Sequence, residues 1–155
     1  MKTDNMNNIT MKKFITLLVA LLAAAAAVYA DNDRAVSFDR LPDRAQAFLS
    51  ENFPSSKLAY AKQERDFLEV HYEVVMVSGE KIEFDRRGEW TSIECRYARL
   101  DRNLVPEPIR AKVEEMYQGA EYREISRDRR EYEVKISYGV ELTFDRHFNL
   151  MGIDD

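Results

Sequence analysis

Apolar positions along the chain pass from a helical period to strict alternation, and later do so again. In the segment 41–53, Leu41, Ala45, Phe48, Leu49 and Phe53 fall at i, i+4, i+7, i+8 and i+12, one stripe along a helix. Pro42 suits the first helical turn, where a missing N–H costs nothing. Asp43 complements the helix dipole, and Pro54 stops the helix. The period then drops to two: Leu68, Val70, Tyr72, Val74 and Met76 share one face, while Glu69, His71 and Glu73 share the other. Ile82 and Phe84 alternate with Lys81, Glu83 and Asp85 in the same way. Clean alternation marks antiparallel strands with one buried and one wet face.

About sixty residues on, the plan returns. Val105, Ile109, Val113, Met116 and Tyr117 form a second stripe after Pro106, with Glu107 in the first turn and Gly119 as the stop. Tyr72-Glu73-Val74, Gly79, Phe84-Asp85-Arg86, Trp90 and Ile93 recur as Tyr132-Glu133-Val134, Gly139, Phe144-Asp145-Arg146, Leu150 and Ile153. Tyr132, Val134, Ile136 and Tyr138 are expected inward, with Glu131, Glu133, Lys135 and Ser137 outward. The helices are offset by 64 and the later strands by 60, which puts four extra residues in the turn around 63–67 of the first copy. A repeat this long is a duplicated small unit and not a solenoid. Ser78-Gly79 and Tyr138-Gly139 read as hairpin turns; Gly88 and Asn149 are expected to take left-handed positions in the next turns.

The expected class is therefore α+β. Each unit is a helix followed by four strands, at 57–63, 68–77, 80–85 and 90–97, then 121–127, 131–138, 140–145 and 149–153. About eight antiparallel strands would form the sheet, with both helices on one face, because each helix has one apolar stripe and the sheet one apolar face. The repeats span about 38–97 and 102–155 of one domain, 31–155.

The first 30 residues read as a secretory leader. Lys12 and Lys13 precede an apolar run from Phe14 to Ala27, and Val28-Tyr29-Ala30 offers a cleavage site after Ala30. Met11 opens a typical leader, so residues 1–10 read as a start-site artefact. The apolar run is too short to span a bilayer, so no stable membrane anchor is expected after cleavage. A periplasmic or secreted location follows. The remaining chain carries 20 basic and 27 acidic residues, a net charge of −7, which argues against nucleic-acid binding. Even the arginines of 123–130 are interleaved with Glu124 and Asp128. A single cysteine, Cys95, allows no internal disulfide; it reads as a buried thiol, with an intermolecular bridge as the alternative.

The leader, the tandem Leu-Pro and Val-Pro helices and the ordered Tyr-Glu-Val, Gly, Phe-Asp-Arg repeat resemble the PepSY-like proteins. These are periplasmic proteins of gut Bacteroidetes also likened to beta-lactamase-inhibitor protein. The resemblance covers Leu41 to Asp154 and implies a duplicated helix-plus-sheet unit with one continuous antiparallel sheet. It implies a role in restraining peptidases or docking a sheet face onto an enzyme, and it supplies no catalytic residues.

Candidate chemistry is sparse. His71 lies between two carboxylates with no second His or Cys nearby, so it reads as a surface residue ahead of a metal ligand. Asp85 and Asp145 pair through the duplication; accepting N–H groups of their own turns is favoured over acid–base work. The run Asp85–Glu89 lacks the alternating oxygens of a calcium loop. No nucleophile elbow, phosphate loop or dinucleotide fingerprint is present. The expectation is no enzyme, no metal and no cofactor. What remains is the open sheet face, with Glu69, His71, Glu73, Lys81, Glu83, Glu131, Glu133 and Lys135 as candidate partner-binding residues. Tyr60, Trp90, Tyr97 and Tyr122 are placed within reach of it, although Trp90 also reads as core. The partner expected is another envelope protein or a peptide; a small-ligand or metal sensor is the alternative.

Overall fold

A computed structural model describes residues 33–66 and 69–155. The leader, its cleavage site and Leu68 lie outside these residues. Nine strands form one antiparallel sheet in simple chain order: β1 (Arg34–Ala35), β2 (Leu58–Asp66), β3 (Glu69–Met76), β4 (Glu80–Asp85), β5 (Trp90–Cys95), β6 (Tyr122–Arg127), β7 (Glu131–Ile136), β8 (Glu141–Asp145) and β9 (Leu150–Asp154). Helix α1 (Asp43–Asn52) precedes β2 and helix α2 (Glu107–Met116) precedes β6. The fold is the expected α+β duplication with one strand more. That strand is the polar lead-in Arg34-Ala35, which pairs with Gln63 and Lys62. Two exposed residues leave no periodic signal, so backbone pairing alone defines it.

Both helices lie on the same face because the core has one place to form. Leu41, Ala45 and Leu49 from the first stripe and Val105, Ile109 and Val113 from the second are buried with Val74, Ile82, Phe84, Ile93, Ile125, Val134, Leu142 and Phe144. Phe48 meets Phe84 edge-on at 5.8 Å between ring centroids. Cys95 is a buried free thiol in this cluster. Both helices end alike, with the N–H of Phe53 donating to the Leu49 carbonyl and that of Tyr117 to the Val113 carbonyl. Met116 leaves its stripe, 39% exposed at the helix end, while Tyr117 turns inward.

The loops hold the corrections. The four extra residues of the first copy extend a hairpin, not a turn. Glu64, Arg65 and Asp66 pair with His71, Val70 and Glu69, beyond the level at which Arg127 and Tyr132 end the equivalent ladder. Tyr138 is not inward: it stands at φ 78°, 90% exposed, and with Gly139 at φ 81° makes two consecutive left-handed residues. The left-handed position of the β8–β9 turn belongs to Phe148 (φ 65°), not Asn149. Phe148 holds it because its ring packs 5.3 Å from that of Tyr132. Its counterpart Gly88 (φ 80°) lies so close under α1 that a Cβ would stand 2.8 Å from the Ala45 nitrogen. Among the described residues no helix is long and apolar enough to cross a membrane.

Candidate interaction surface

Alternation and register together organise the face opposite the helices. Side chains on one face sit in cross-strand rows wherever the register is continuous. One row runs Lys62, Glu73, Glu83, Ser92, Ser126, Glu133, Thr143, Gly152, each the direct partner of the next from β2 to β9. The adjacent row runs Tyr60, Val75, Lys81, Glu94, Glu124, Lys135, Glu141, Asp154. Both cross the junction between repeats without a break. Seven carboxylates against three lysines give the two rows a net charge of −4.

The candidate residues fall into separate groups on this face. Glu73 is central to the first repeat: its carboxylate accepts from the Tyr60 hydroxyl at 2.8 Å and meets Lys81 at 3.2 Å and Lys62 at 3.7 Å. Burial pushes its pKa up, but the hydrogen bonds from Tyr60 and Lys81 and the charges of Lys81 and Lys62 outweigh that and hold it below the usual value. Lys81 also meets Glu83 at 2.8 Å, and that bond raises its pKa. In the second repeat Lys135 bridges Glu124 at 3.0 Å and Glu141 at 3.5 Å, and the Glu124 bond raises its pKa. Between these networks the centre is hydroxylic: Ser92 faces Ser126, whose Oγ donates to Glu133 over 3.5 Å. Glu133 makes no ion pair among the described residues.

Glu69, His71 and Glu131 lie at the end of the face, apart from the networks. Glu69 contacts His71 at 3.3 Å, and His71 lies opposite Asp85. Glu131 lies opposite Asp145. Neither aspartate is set up for chemistry. Asp85 accepts the N–H groups of Arg87 and Glu89, and Asp145 those of His147 and Asn149. The Asn149 side chain, first, and the turn N–H groups hold the Asp145 carboxyl below the usual range. Among the described residues, no three His, Cys, Asp or Glu side chains are placed to hold a metal ion.

Of the aromatics, Trp90 takes the core position that its counterpart Leu150 suggested, and the other three divide. Tyr60 alone of the four joins the rows; Tyr97 is 91% exposed beyond β5, and Tyr122 is buried. Trp90 lies on the helix side, 6.5 Å from Phe48, beneath the Arg127 guanidinium at 4.0 Å. Sequence reasoning missed Lys62, Ser92, Glu94, Glu124, Ser126 and Asp154. The polar positions alternate in β5 and β6, but which residues stand beside one another depends on bulges in β2, β5, β6 and β9.

Comparisons agree on the fold and compartment. The sequence model of a PepSY-like, beta-lactamase-inhibitor-like family matches residues 70–152. The crystal structure of a periplasmic protein from Bacteroides vulgatus is similar at 40% identity and TM-score 0.77, over 81% of this chain and 99% of that one. A protein of Bacteroides thetaiotaomicron, described as a candidate calcium-regulated periplasmic protein, is 39% identical with TM-score 0.77, over 80% and 98%. A second B. vulgatus periplasmic protein, of unknown function, is 28% identical with TM-score 0.75, over 80% and 100%. No functionally curated protein matches the sequence.

Proposed function

The chain belongs to the PepSY-like, beta-lactamase-inhibitor-like family of periplasmic proteins, and from that premise we propose that this non-catalytic domain binds another envelope protein or peptide through its open sheet face. Its leader, cleaved after Ala30, delivers it to the periplasm. The observation that supports the reading is the pair of unbroken rows across β2 to β9, a continuous acidic surface with a hydroxylic centre. Mixed charges with an exposed tyrosine suit a polar, wet protein interface. The excess of carboxylates favours a partner with a basic or hydroxyl-rich surface, by charge complementarity. Restraint of a peptidase is the form of binding that the family resemblance implies.

Calcium is not part of the proposal, although one relative is described as a candidate for calcium regulation. Here the turn aspartates Asp85, Asp128 and Asp145 close their own turns by accepting backbone N–H groups. The test is capture of a partner from periplasmic extract by the mature chain and by Glu73→Lys/Glu133→Lys. The double variant should lose the captured protein while keeping its circular dichroism spectrum. Equal capture by the folded variant would remove the sheet face from consideration.

A further inference from the structure

The β4–β5, β6–β7 and β8–β9 turns meet at one end of the sheet beside the first residues of β3, and a cavity of about 940 Å³ opens among them. Arginines reach it from three places remote in sequence: Arg86 and Arg87 after β4, Arg127 and Arg129 around the end of β6, and Arg146 after β8. Five carboxylates also line it, so formal charge decides nothing. Engagement does. Asp85 and Asp128 accept backbone N–H groups of their turns, Glu89 pairs with Arg44 and Arg127, Glu83 with Lys81, and Glu69 with His71. The N–H groups of Arg130 and Glu131 hold the Asp128 carboxyl below its usual range, as expected for a carboxylate already solvated by the chain.

The arginines divide into fixed and unengaged. Arg127 donates Nε to the Trp90 carbonyl at 2.9 Å and Nη2 to Glu89 at 3.2 Å, with its guanidinium over the indole. Arg146 donates to the Asp128 carbonyl at 2.8 Å and lies over the Tyr132 ring. These two guanidiniums are each anchored to a backbone carbonyl and an aromatic ring. By contrast Arg86, Arg87 and Arg129 make no ion pair and no side-chain hydrogen bond among the described residues, and Arg87 and Arg129 stand on neighbouring turns. Each guanidinium carries five N–H donors in a fork that matches carboxylate or phosphate oxygens.

We infer that this end of the sheet is a binding site for a small ligand bearing oxyanion groups, carboxylate or phosphate, held by Arg87 and Arg129 against the fixed Arg127 and Arg146. The site touches the rows described above only at Glu83; Glu73 and Glu133 do not line it.

Isothermal titration of the mature chain at low salt tests it, with citrate as the carboxylate probe and pyrophosphate as the phosphate probe. At least one should bind, and Arg87→Gln/Arg129→Gln should weaken it about tenfold or more, the loss expected for charge-assisted hydrogen bonds. Binding of pyrophosphate alone assigns phosphate chemistry, and binding of citrate alone assigns carboxylate. Arg87→Lys/Arg129→Lys, which keeps the charge and loses the fork, should also weaken binding. The Glu73→Lys/Glu133→Lys protein should bind at least as tightly, because its added positive charge favours an anion at low salt, so the two surfaces fail independently. No heat with either probe up to about 10 mM, or equal affinity in the folded Gln variant, overturns the site.

Discussion

Replacing Gly88 with alanine measures how tightly the first helix is seated on the sheet. Two costs add at this position. The backbone has φ 80°, and an L side chain in the left-handed region costs about 1–2 kcal/mol. The new Cβ would also stand 2.8 Å from both the Ala45 nitrogen and the Pro42 Cβ, and 3.2 Å from the Arg44 Cβ. Two of these neighbours are a helix backbone atom and a proline ring carbon, neither able to swing aside. Overpacking of this kind costs about 1–3 kcal/mol. Gly119 supplies the control, with φ 74° and nothing within 4 Å of a built Cβ. Gly119→Ala should therefore lose about 1–2 kcal/mol and Gly88→Ala about 2–5 kcal/mol. With a urea slope of about 2 kcal/mol/M, the two midpoints should differ by roughly 0.5–1.5 M. Trp90, the single tryptophan, lies two residues from the substitution and reports locally, while far-ultraviolet circular dichroism reports globally; coincident curves license the two-state treatment. Equal midpoints for the two variants would refute the close approach of α1 to the β4–β5 turn.

Two further outcomes follow from local geometry. Glu73 has its pKa depressed in the folded chain, so it contributes stability above its unfolded value of about 4.3, and that contribution is lost as pH falls through the lower folded value. Glu73→Gln should thus lower the neutral plateau of stability against pH, change stability little at acid pH, where the native carboxyl is protonated as well, and so flatten the acid limb below about 4.3; an unchanged plateau and acid limb would show that Tyr60 and Lys81 do not hold the carboxylate. Tyr138→Asn should stabilise by about 0.5–1 kcal/mol in urea unfolding, because Asn tolerates the left-handed position before Gly139 and the 90% exposed ring contributes little packing. A loss of stability would mean that the Tyr138 ring packs after all.

The helices, the alternating strands and the single buried face were readable because each is a local period: 3.6 for Leu41–Phe53, two for Val70–Met76. Residues that break period were not. Phe148 takes a left-handed turn position that Asn149 is chemically better suited to, because the Tyr132 ring lies beneath it, and Tyr132 is 16 residues away. Arg34-Ala35 became a strand through backbone pairing, which no side-chain pattern records. The open face was readable as a set of polar positions. Its rows were not, since four bulges decide which residues become neighbours. The arginine cluster was the least accessible feature: its members come from three turns, each of which looks charge-balanced in its own stretch of chain.

The junction of the two repeats has a thermodynamic meaning for the open face. Only Ser92, Ile93 and Glu94 pair with β6 there, and side chains complete the seam: Arg127 donates to the Trp90 carbonyl at one end, and Arg123 to the Ala98 carbonyl at 2.7 Å at the other. Both rows cross this narrow join, so neither repeat alone presents the surface. A partner of the proposed kind, spanning β4 to β7, would therefore clasp the two halves and bind only the joined state. At a partner concentration one hundred times its dissociation constant, that linkage adds about 2.7 kcal/mol to the fold. With no disulfide to close the seam, resistance of the protein to added protease would then rise with the concentration of such a partner.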